Sequence, residues 1–327
     1  MTLEDADFSG AVTDHLRRRG LTSPTTELTV TPLTGGVSND VLSVSGDGLD
    51  IVVKRALSRL RVEQDWVADV SRLSTEGRAL QLAATIDPGA VPAVLDLADG
   101  FLVIERAPAH WRTWKADLLA GIVDIDVAGR LGEFLAHLQS HTTGRTEELR
   151  GDFGSRTAFE QLRVEPFHVQ VRDGHPDVAA EIDRTVAVMN ETPTCLVHGD
   201  YSPKNILVGD SDAHVWVIDW EVAHLGDPTF DPAWVVGHLL LKSIRRPELA
   251  ERFRRAAANF LDALDHSDPE LHRQLIRQTG VLVLARVDGR SPIDYLDDGG
   301  RQTARALGLR LLGDFPHPLL DAWRHLS

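Results

Sequence analysis

Cysteine, methionine and tyrosine are scarce in this chain of 327 residues, which has one Cys, two Met and two Tyr. The single cysteine, Cys195, excludes an internal disulfide and any zinc or iron–sulfur site built from several cysteines. No apolar run approaches the roughly 18–20 residues that a membrane span needs. The acidic start, Met1–Asp7, lacks the basic and apolar segments of a signal peptide. We therefore expect a cytoplasmic protein that does not bind a membrane.

Positively charged residues are also few. The chain has 34 Lys and Arg but 49 Asp and Glu, which gives a formal net charge of −15. A chain with this excess of negative charge attracts polyanions weakly, so we do not expect nucleic acid as a partner. No segment demands a partner subunit, and we expect a monomer or a homodimer. The hydrophobic content of 43% is typical of globular proteins, and the length suggests two domains or lobes.

The predicted elements divide the chain near residues 104–108. Before that point the patterns predict a helix over residues 1–20, a second over about 62–84, and strands at 28–31, 41–45, 51–54, 93–97 and 101–105. After it the pattern is helical, as in the apolar stripe of 128–141, except for a strand-rich island at 196–219. We expect an α+β protein with a β-rich N-terminal lobe, 1–107, and a helical C-terminal lobe, 108–327.

The strand-rich island predicts a β-hairpin with polar residues at its open end. Two apolar runs, 206–208 and 216–218, flank a turn, and antiparallel pairing centred on residue 212 places Asn205 opposite Asp219. Directly opposed side chains have Cβ atoms about 4.5–5.5 Å apart, so the amide and the carboxylate would converge. Such oxygen ligands suit Mg²⁺ that is bound chiefly to substrate phosphates. Asp200 would lie nearby, where a carboxylate can accept the proton of an attacking hydroxyl.

Acidic residues are concentrated around this hairpin. Between Cys195 and Asp231 the chain has one base, Lys204, and seven acids, which are Asp200, Asp210, Asp212, Asp219, Glu221, Asp227 and Asp231. We expect this local field to favour a metal ion and to be compatible with a cationic acceptor.

Three motifs in this region resemble those of the aminoglycoside phosphotransferase and choline kinase family, small-molecule relatives of the protein kinases. They are His198-Gly-Asp200-x4-Asn205, Ile218-Asp219-Trp-Glu221 and Gly226-Asp-Pro228-x-x-Asp231. The resemblance spans about residues 28–235 and implies a protein-kinase-like bilobal fold. Its N-terminal lobe would be an antiparallel sheet with one key helix, and its larger C-terminal lobe would be mostly helical. The implied activity is transfer of the γ-phosphoryl group of ATP to a hydroxyl of a small molecule, with ATP and Mg²⁺ as cofactors.

The same resemblance implies a role for individual residues. Asp200 takes the role of the catalytic base in the catalytic loop region 196–221, and Asn205 and Asp219 take the roles of metal ligands. The implied nucleotide contacts lie in the N-terminal lobe: the covering loop of Gly35, Gly36, Val37, Ser38 and Asn39, the phosphate-binding Lys54 with its partner Glu76, and the main chain of Glu105 and Ala107. The helices after about residue 232 would form the wall of the acceptor pocket.

Alternatives stay open for a further set of residues, which could bind the acceptor or support those that do: His198, Lys204, Glu221, Asp231 and Trp234. A lone histidine such as His198 favours a structural role over that of a base. Glu221 is either a second metal or substrate ligand or an exposed acid. Asp231 either braces the loop or caps the following helix, or it touches the substrate.

A basic motif of Arg286 and Arg290 near the C-terminus has several interpretations. It is either a helix end with capping charge, or a contact to an anionic acceptor or a neighbouring helix.

The chain departs from protein kinases in ways that bear on the substrate. The glycine loop lacks the full G-x-G-x-x-G pattern, Asp219-Trp-Glu221 replaces Asp-Phe-Gly, and the Ala-Pro-Glu segment is missing. These departures disfavour a polypeptide acceptor and favour a small hydroxylated molecule such as an aminoglycoside, an amino alcohol or a sugar. The alternative function is a degenerate nucleotide-binding scaffold of the same fold. It predicts losses among Lys54, Asp200, Asn205 and Asp219, and none is lost.

Overall fold

The computed structural model describes residues 3–33, 39–57, 71–210, 214–264, 267–313, 315 and 317–326. The strands are β1 (Thr29–Pro32), β2 (Asn39–Gly46), β3 (Leu49–Ala56), β4 (Val94–Ala98), β5 (Phe101–Glu105), β6 (Arg112–Thr113), β7 (Cys195–Val197), β8 (Ile206–Val208), β9 (Val215–Val217) and β10 (His224–Gly226). The α-helices are α1 (Leu3–Arg18), α2 (Arg72–Ile86), α3 (Trp114–Ala120), α4 (Ile125–Thr142), α5 (Thr146–Phe153), α6 (Thr157–Phe159), α7 (Gln170–Gly174), α8 (Ala179–Glu191), α9 (Phe230–Arg245), α10 (Ala250–Asp262), α11 (Pro269–Asp288) and α12 (Asp298–Leu312). A π-helical segment, Glu160–Val169, joins α6 to α7.

The first five strands form one antiparallel sheet in the order β1-β2-β3-β5-β4. Two of its hairpins turn through an Asp-Gly pair with positive φ at both residues, Asp47–Gly48 and Asp99–Gly100. Such turns match the right-handed twist of the strands they join. In this strand order β3 is the central strand, and its residue Lys54 lies between Val41 of β2 and Leu102 of β5. The sheet confirms the predicted β-rich N-terminal part.

Helix α2 packs against this sheet through apolar residues at helical spacing. Leu73, Leu80 and Ala83 are buried, and the helix contacts β3, β4 and β5. The predicted helix over 62–84 is confirmed from Arg72 onward and extends to Ile86, while residues 58–70 lie outside the described residues. Glu76 lies on the buried face of α2, which brings it to the strand that holds Lys54.

Beyond β5 the described chain is mostly helical, as predicted. The apolar stripe of α4 is buried, and α9 is buried along most of its length between α10 and α11. One cluster of buried apolar residues extends from α2 to the helices that follow β5, since it includes both Leu80 of α2 and Leu131 of α4. The division into lobes 1–107 and 108–327 therefore stays a prediction. Across the described ranges, no helix combines the length and apolarity that a bilayer crossing needs.

The predicted register of the β8–β9 hairpin is wrong by one residue. Ile206 lies opposite Val217, and the amide of Ile218 donates to the carbonyl oxygen of Asn205 at 2.9 Å. Asn205 therefore pairs with Ile218 and not with Asp219. The reason is the number of residues in the loop. Residues 209–214 separate the strands, and because their number is even, the centre of pairing falls between two residues and not on residue 212.

Candidate active site

Lys54 links the sheet, helix α2 and the segment after the hairpin. Its Nζ lies 2.5 Å from Oε1 of Glu76 and 3.7 Å from Oδ1 of Asp219. Burial opposes the charge on Lys54, but the two carboxylates outweigh it and raise the pKa of the amine above its usual range. The amine is therefore protonated at neutral pH, and the predicted pairing of Lys54 with Glu76 is confirmed.

The loop that carries Asp200 is braced by Asp231. Oδ2 of Asp231 accepts a hydrogen bond from the amide of His198 at 2.7 Å, and Oδ1 accepts one from the amide of Gly199 at 2.9 Å. The amide of Asp200 donates to Nδ1 of His198 at 3.1 Å, which leaves Nε2 to donate to the carbonyl oxygen of Ile218, also at 3.1 Å. Burial lowers the pKa of His198 to about 4, so the imidazole is neutral. Both side chains support the loop.

Asp200 is a buried, ionised carboxylate. Its Oδ2 lies 2.7 Å from Nη2 of Arg163 and 3.0 Å from Nζ of Lys204, and it accepts a hydrogen bond from Nδ2 of Asn205 at 2.9 Å. Burial alone would raise the pKa of Asp200, but the charges of Arg163 and Lys204 outweigh that effect and hold the pKa well below its usual range. These contacts all involve Oδ2, and Oδ1 accepts no hydrogen bond from the described residues.

Asn205 and Asp219 offer two oxygen ligands near Asp200 and Lys54. Nδ2 of Asn205 also donates to the carbonyl oxygen of Asp200 at 3.0 Å, so the amide is fixed and its Oδ1 has no donor among the described residues. Asp219 has a φ of 70°, a left-handed conformation that is uncommon outside glycine. The hairpin register differs from the predicted one, but the carboxylate of Asp219 still contacts Lys54. This hard oxygen set fits Mg²⁺, with the remaining ligands supplied by phosphates or water.

Glu221 is buried and joins three parts of the chain. Its Oε2 accepts hydrogen bonds from Nδ2 of Asn39 and from Nε of Arg72, each at 3.0 Å. Arg72 also donates to the carbonyl oxygen of Leu57 at 2.6 Å. The interpretation of Glu221 as an exposed acid is therefore wrong, because its carboxylate ties β2 and α2 to the segment after Asp219.

The sequence from the sheet into α11 matches a known protein family. The model of the Phosphotransferase enzyme family, APH, matches residues 29–275. The chain belongs to this family. Methylthioribose kinase of Bacillus cereus (strain G9842) is 28% identical over 241 residues, which cover 65% of this chain and 60% of that protein. Methylthioribose kinase of Cronobacter sakazakii is 25% identical over 227 residues, 60% of this chain and 55% of that protein. The chain thus spans at most about 60% of the length of these curated relatives.

Solved structures show the same fold at low sequence identity. Plasmodium vivax ethanolamine kinase superposes with a TM-score of 0.51 at 12% identity, over 95% of this chain and 85% of that one. The macrolide 2′-phosphotransferase of Brachybacterium faecium gives a TM-score of 0.51 at 19% identity, over 93% of this chain and 98% of that one. These likenesses confirm the predicted protein-kinase-like α+β fold.

Only some of the residues expected to contact the nucleotide lie in the described part of the chain. Gly35, Gly36, Val37 and Ser38 lie outside the described residues. Asn39 is the first residue of β2, where its side chain contacts Glu221.

Glu105, the last residue of β5, has its main-chain amide engaged within the protein. The amide of Glu105 donates to the carbonyl oxygen of Ala93 at 2.9 Å. An adenine contact at Glu105 would therefore involve its carbonyl oxygen. Ala107 follows two residues later, and its contact with adenine stays a prediction.

Trp234 is enclosed in the core of the helical part. Its side chain is 1% exposed, with its ring stacked 4.1 Å from Phe230 and tilted 5.6 Å from Phe167. We do not expect this ring to reach an acceptor.

Arg163 contacts the catalytic loop and was missed in the sequence analysis. Its Nε donates to the carbonyl oxygen of Gly199 at 2.9 Å, while Nη2 pairs with Asp200. Arg163 lies in the π-helical segment, which also contains Pro166. π-Helical turns are rare and are frequent at functional sites. A proline inside a helical pattern, three residues after an arginine, is the one sequence signal that could have drawn attention to it.

The acids around the hairpin are held in place by contacts within the protein. Asp212 lies outside the described residues. Each other acid of this group has a partner: Asp200 with Arg163, Asp210 with His110, Asp219 with Lys54, Glu221 with Arg72, Asp227 with Thr229 and Gln274, and Asp231 with two loop amides.

Substitution of Glu221 by glutamine tests the buried link to Arg72. Arg72 is fully buried and would lose its carboxylate partner, so we expect unfolding free energy to fall by about 3–5 kcal/mol. Glu147→Gln is the matched control, because Glu147 forms an exposed pair with Arg150 and should change stability little. Denaturant unfolding monitored by circular dichroism measures both. Equal effects of the two substitutions would contradict the buried link.

Alanine at Gly199 should distort the catalytic loop. Gly199 has a φ of +81°, and a Cβ there would lie 2.8 Å from the carbonyl oxygen of Val222. We expect a stability loss of about 1–3 kcal/mol together with reduced turnover. Gly144→Ala is the matched control, since Gly144 has a φ of +79° but nothing within 4 Å of the added Cβ. If Gly144→Ala cost as much stability and activity, the close approach to Val222 would not matter.

Proposed function

We propose that this chain is a small-molecule kinase that transfers the γ-phosphoryl group of ATP to a hydroxyl of its acceptor. Family membership supports this function. The observation that carries the proposal is two groups of polar contacts: Asp200 is bonded to Asn205, and Lys54 contacts both Glu76 and Asp219. These are the residue types that a kinase needs for a base, a metal ion and a phosphate contact.

In this proposal Lys54 contacts the α- and β-phosphates. Glu76 holds the amine in place, and a lysine has three donors, so N–H groups remain for phosphate oxygens. Oδ1 of Asn205 and the carboxylate of Asp219 hold Mg²⁺. When bound, the ion neutralises charge on the transferring phosphoryl group.

Asp200 orients the acceptor hydroxyl through Oδ1. The hydroxyl oxygen forms a bond to the γ-phosphorus while the bond from that phosphorus to the β–γ bridging oxygen breaks and ADP leaves. The hydroxyl proton passes to Asp200. The depressed pKa of Asp200 makes it a weak base, which suits a loose transition state in which positioning contributes more than early proton removal.

The names of the relatives suggest acceptors for a first screen. The names of the similar proteins give methylthioribose, ethanolamine and a macrolide as acceptors. We would test these together with choline, homoserine, hexosamines and aminoglycosides. We expect Mg²⁺-dependent ADP release with at least one acceptor. The Asp200→Asn variant is the control for contaminating kinases. Nucleotide binding without acceptor-dependent release across the screen would instead indicate a degenerate scaffold.

A further inference from the structure

Basic side chains from two neighbouring helices, α9 and α11, interact electrostatically with Asp200. His238 and Lys242 are separated by one helical turn on α9, so they share a face. Arg286 lies in the last turn of α11. Arg286 and His238 both interact electrostatically with the Asp200 carboxylate, and Lys242 interacts with Arg286. These residues are therefore within electrostatic range of the proposed position of the acceptor hydroxyl.

Neither Lys242 nor Arg286 forms a salt bridge with a carboxylate in the described part of the chain, although Asp200 and Asp294 lie within electrostatic range of Arg286. Nζ of Lys242 lies over the ring of Tyr295, 5.4 Å from its centroid, although Lys242 is only 1% exposed. Nη1 of Arg286 donates to the neutral hydroxyl of Ser291 at 3.2 Å, and its guanidinium lies 5.9 Å from the ring centroid of Phe167. Burial of the Lys242 amine without a salt bridge is costly, so this arrangement needs a compensating function.

Unsatisfied donors are concentrated at the same place. Nδ1 of His238, Nε of Arg286 and the hydroxyl of Tyr295 are buried and have no hydrogen-bond partner among the described residues. His238 is 8% exposed, so bulk water does not replace those bonds. Buried polar atoms in proteins are nearly always bonded, and a set that can donate from every member favours an acceptor-only ligand.

We infer that the donor cluster, defined as His238, Lys242, Arg286 and Tyr295, binds an anionic group of the acceptor molecule, a carboxylate or a phosphate. The anion would lie between α9 and α11 and hold the acceptor hydroxyl next to Asp200. This inference rests on the proposed kinase function and narrows its substrate class to hydroxylated anions. Cationic acceptors are disfavoured, because they would place a further positive charge beside two cations that form no salt bridge with a described carboxylate.

The charge state of Lys242 is consistent with a site that awaits an anion. Burial, together with the charges of Lys115 and Arg286, lowers the pKa of Lys242 to about 7. An anion within hydrogen-bond distance favours the charged form. Binding should therefore be accompanied by proton uptake near neutral pH, which calorimetry in buffers of different ionisation enthalpy detects.

Matched acceptors on one carbon skeleton test the inference. Ribose, ribonate and ribose 5-phosphate, and glycerol, glycerate and glycerol 3-phosphate, separate neutral, carboxylate and phosphate forms. Thermal shift and calorimetry measure binding, and ADP release measures turnover. We expect an anionic member to bind and to be used at least about 10-fold better than its neutral counterpart, as the strength of charged hydrogen bonds implies. Its carboxylate or phosphate identifies the anion.

Lys242→Met and Arg286→Met then locate the anion site. Each should raise the acceptor KM or Kd about 10–100-fold for the anionic member, with little change for the neutral one. Lys242→Met should also raise the melting temperature of the free protein, because it removes a buried unpaired cation. Arg184→Met, which alters an exposed pair with Glu181, is the matched control and should leave all these values unchanged.

Several outcomes would overturn the inference while leaving the kinase function intact. Preferred use of neutral or cationic acceptors is one. Equal loss of kcat on all acceptors in Lys242→Met and Arg286→Met is another, since it would place these cations on the transferring phosphoryl group. Absence of anion-dependent stabilisation in the wild type, or its persistence in both variants, would also count against the donor cluster. In contrast, anion binding without any phosphoryl transfer would contradict the proposed function and not the site.

Discussion

Asp200→Asn is expected to lower kcat for phosphoryl transfer about 10²–10⁴-fold, the usual contribution of a positioned base. The amide cannot accept the hydroxyl proton, and it presents a weaker acceptor for orienting that hydroxyl. Nucleotide affinity should change little, because Asp200 is not one of the proposed metal or phosphate ligands. Acceptor-dependent ADP release gives kcat, and calorimetry gives the nucleotide Kd.

The control for this variant is Asp210→Asn, which alters an exposed acid of the hairpin turn that pairs with His110. It should retain wild-type kcat. Arg163 and Lys204 lose a carboxylate partner in Asp200→Asn, so unfolding should be measured in parallel to separate loss of structure from loss of chemistry. A folded Asp200→Asn variant with kcat within about 10-fold of the wild type would assign the base elsewhere.

Asp219→Asn is expected to remove most of the Mg²⁺-dependent part of nucleotide affinity and of turnover. Metal neutralisation of phosphate charge contributes several kcal/mol, which corresponds to a loss of about 10²–10³-fold. Asparagine is chosen because it tolerates the left-handed conformation that Asp219 adopts, so the backbone should be preserved. Affinity for the nucleotide without Mg²⁺ should stay near the wild-type value.

Mg²⁺ titration of nucleotide binding distinguishes the proposed ligand from a residue that only contacts Lys54. Removal of the ligand shifts the Mg²⁺ dependence, whereas a change confined to Lys54 lowers affinity with and without the ion. Asp210→Asn serves again as the control. Unchanged titration curves in Asp219→Asn would rule out its assignment as a metal ligand.

The parts of the site that could be predicted from sequence are those fixed by local pattern. Alternating apolar residues and Asp-Gly turns determine the meander that places Lys54 on a central strand. Helical spacing places Glu76 on the face of α2 that meets this strand. Each of these two elements is specified by its own residues. The contact between Lys54 and Glu76 could therefore be predicted from the order of the strand and the helix along the chain.

The hairpin register could not be predicted reliably, because it depends on how many residues the loop uses. One residue more or less in the turn moves every pair along the strand, and the apolar runs 206–208 and 215–217 accept either register. Asp219, whose backbone is in the left-handed conformation, nevertheless lies 3.7 Å from Nζ of Lys54.

Contacts between distant elements were the least predictable. Arg163 reaches Asp200 from a π-helical segment, and Arg72 reaches Glu221 from the start of α2. Neither arginine belongs to a local motif, so only the packing of helices reveals its partner. The same holds for Lys242 and Arg286, which come together only when α9 and α11 pack against each other.

The central claim is that Asn205 and Asp219 share a divalent ion on the phosphates held by Lys54, with Asp200 next to the γ-phosphate. A crystal structure of the protein with Mn²⁺ and a non-hydrolysable ATP analogue tests it directly, since anomalous scattering locates the ion. The account predicts an anomalous peak coordinated by Oδ1 of Asn205 and the carboxylate of Asp219. A bound nucleotide whose ion touches neither residue would contradict it.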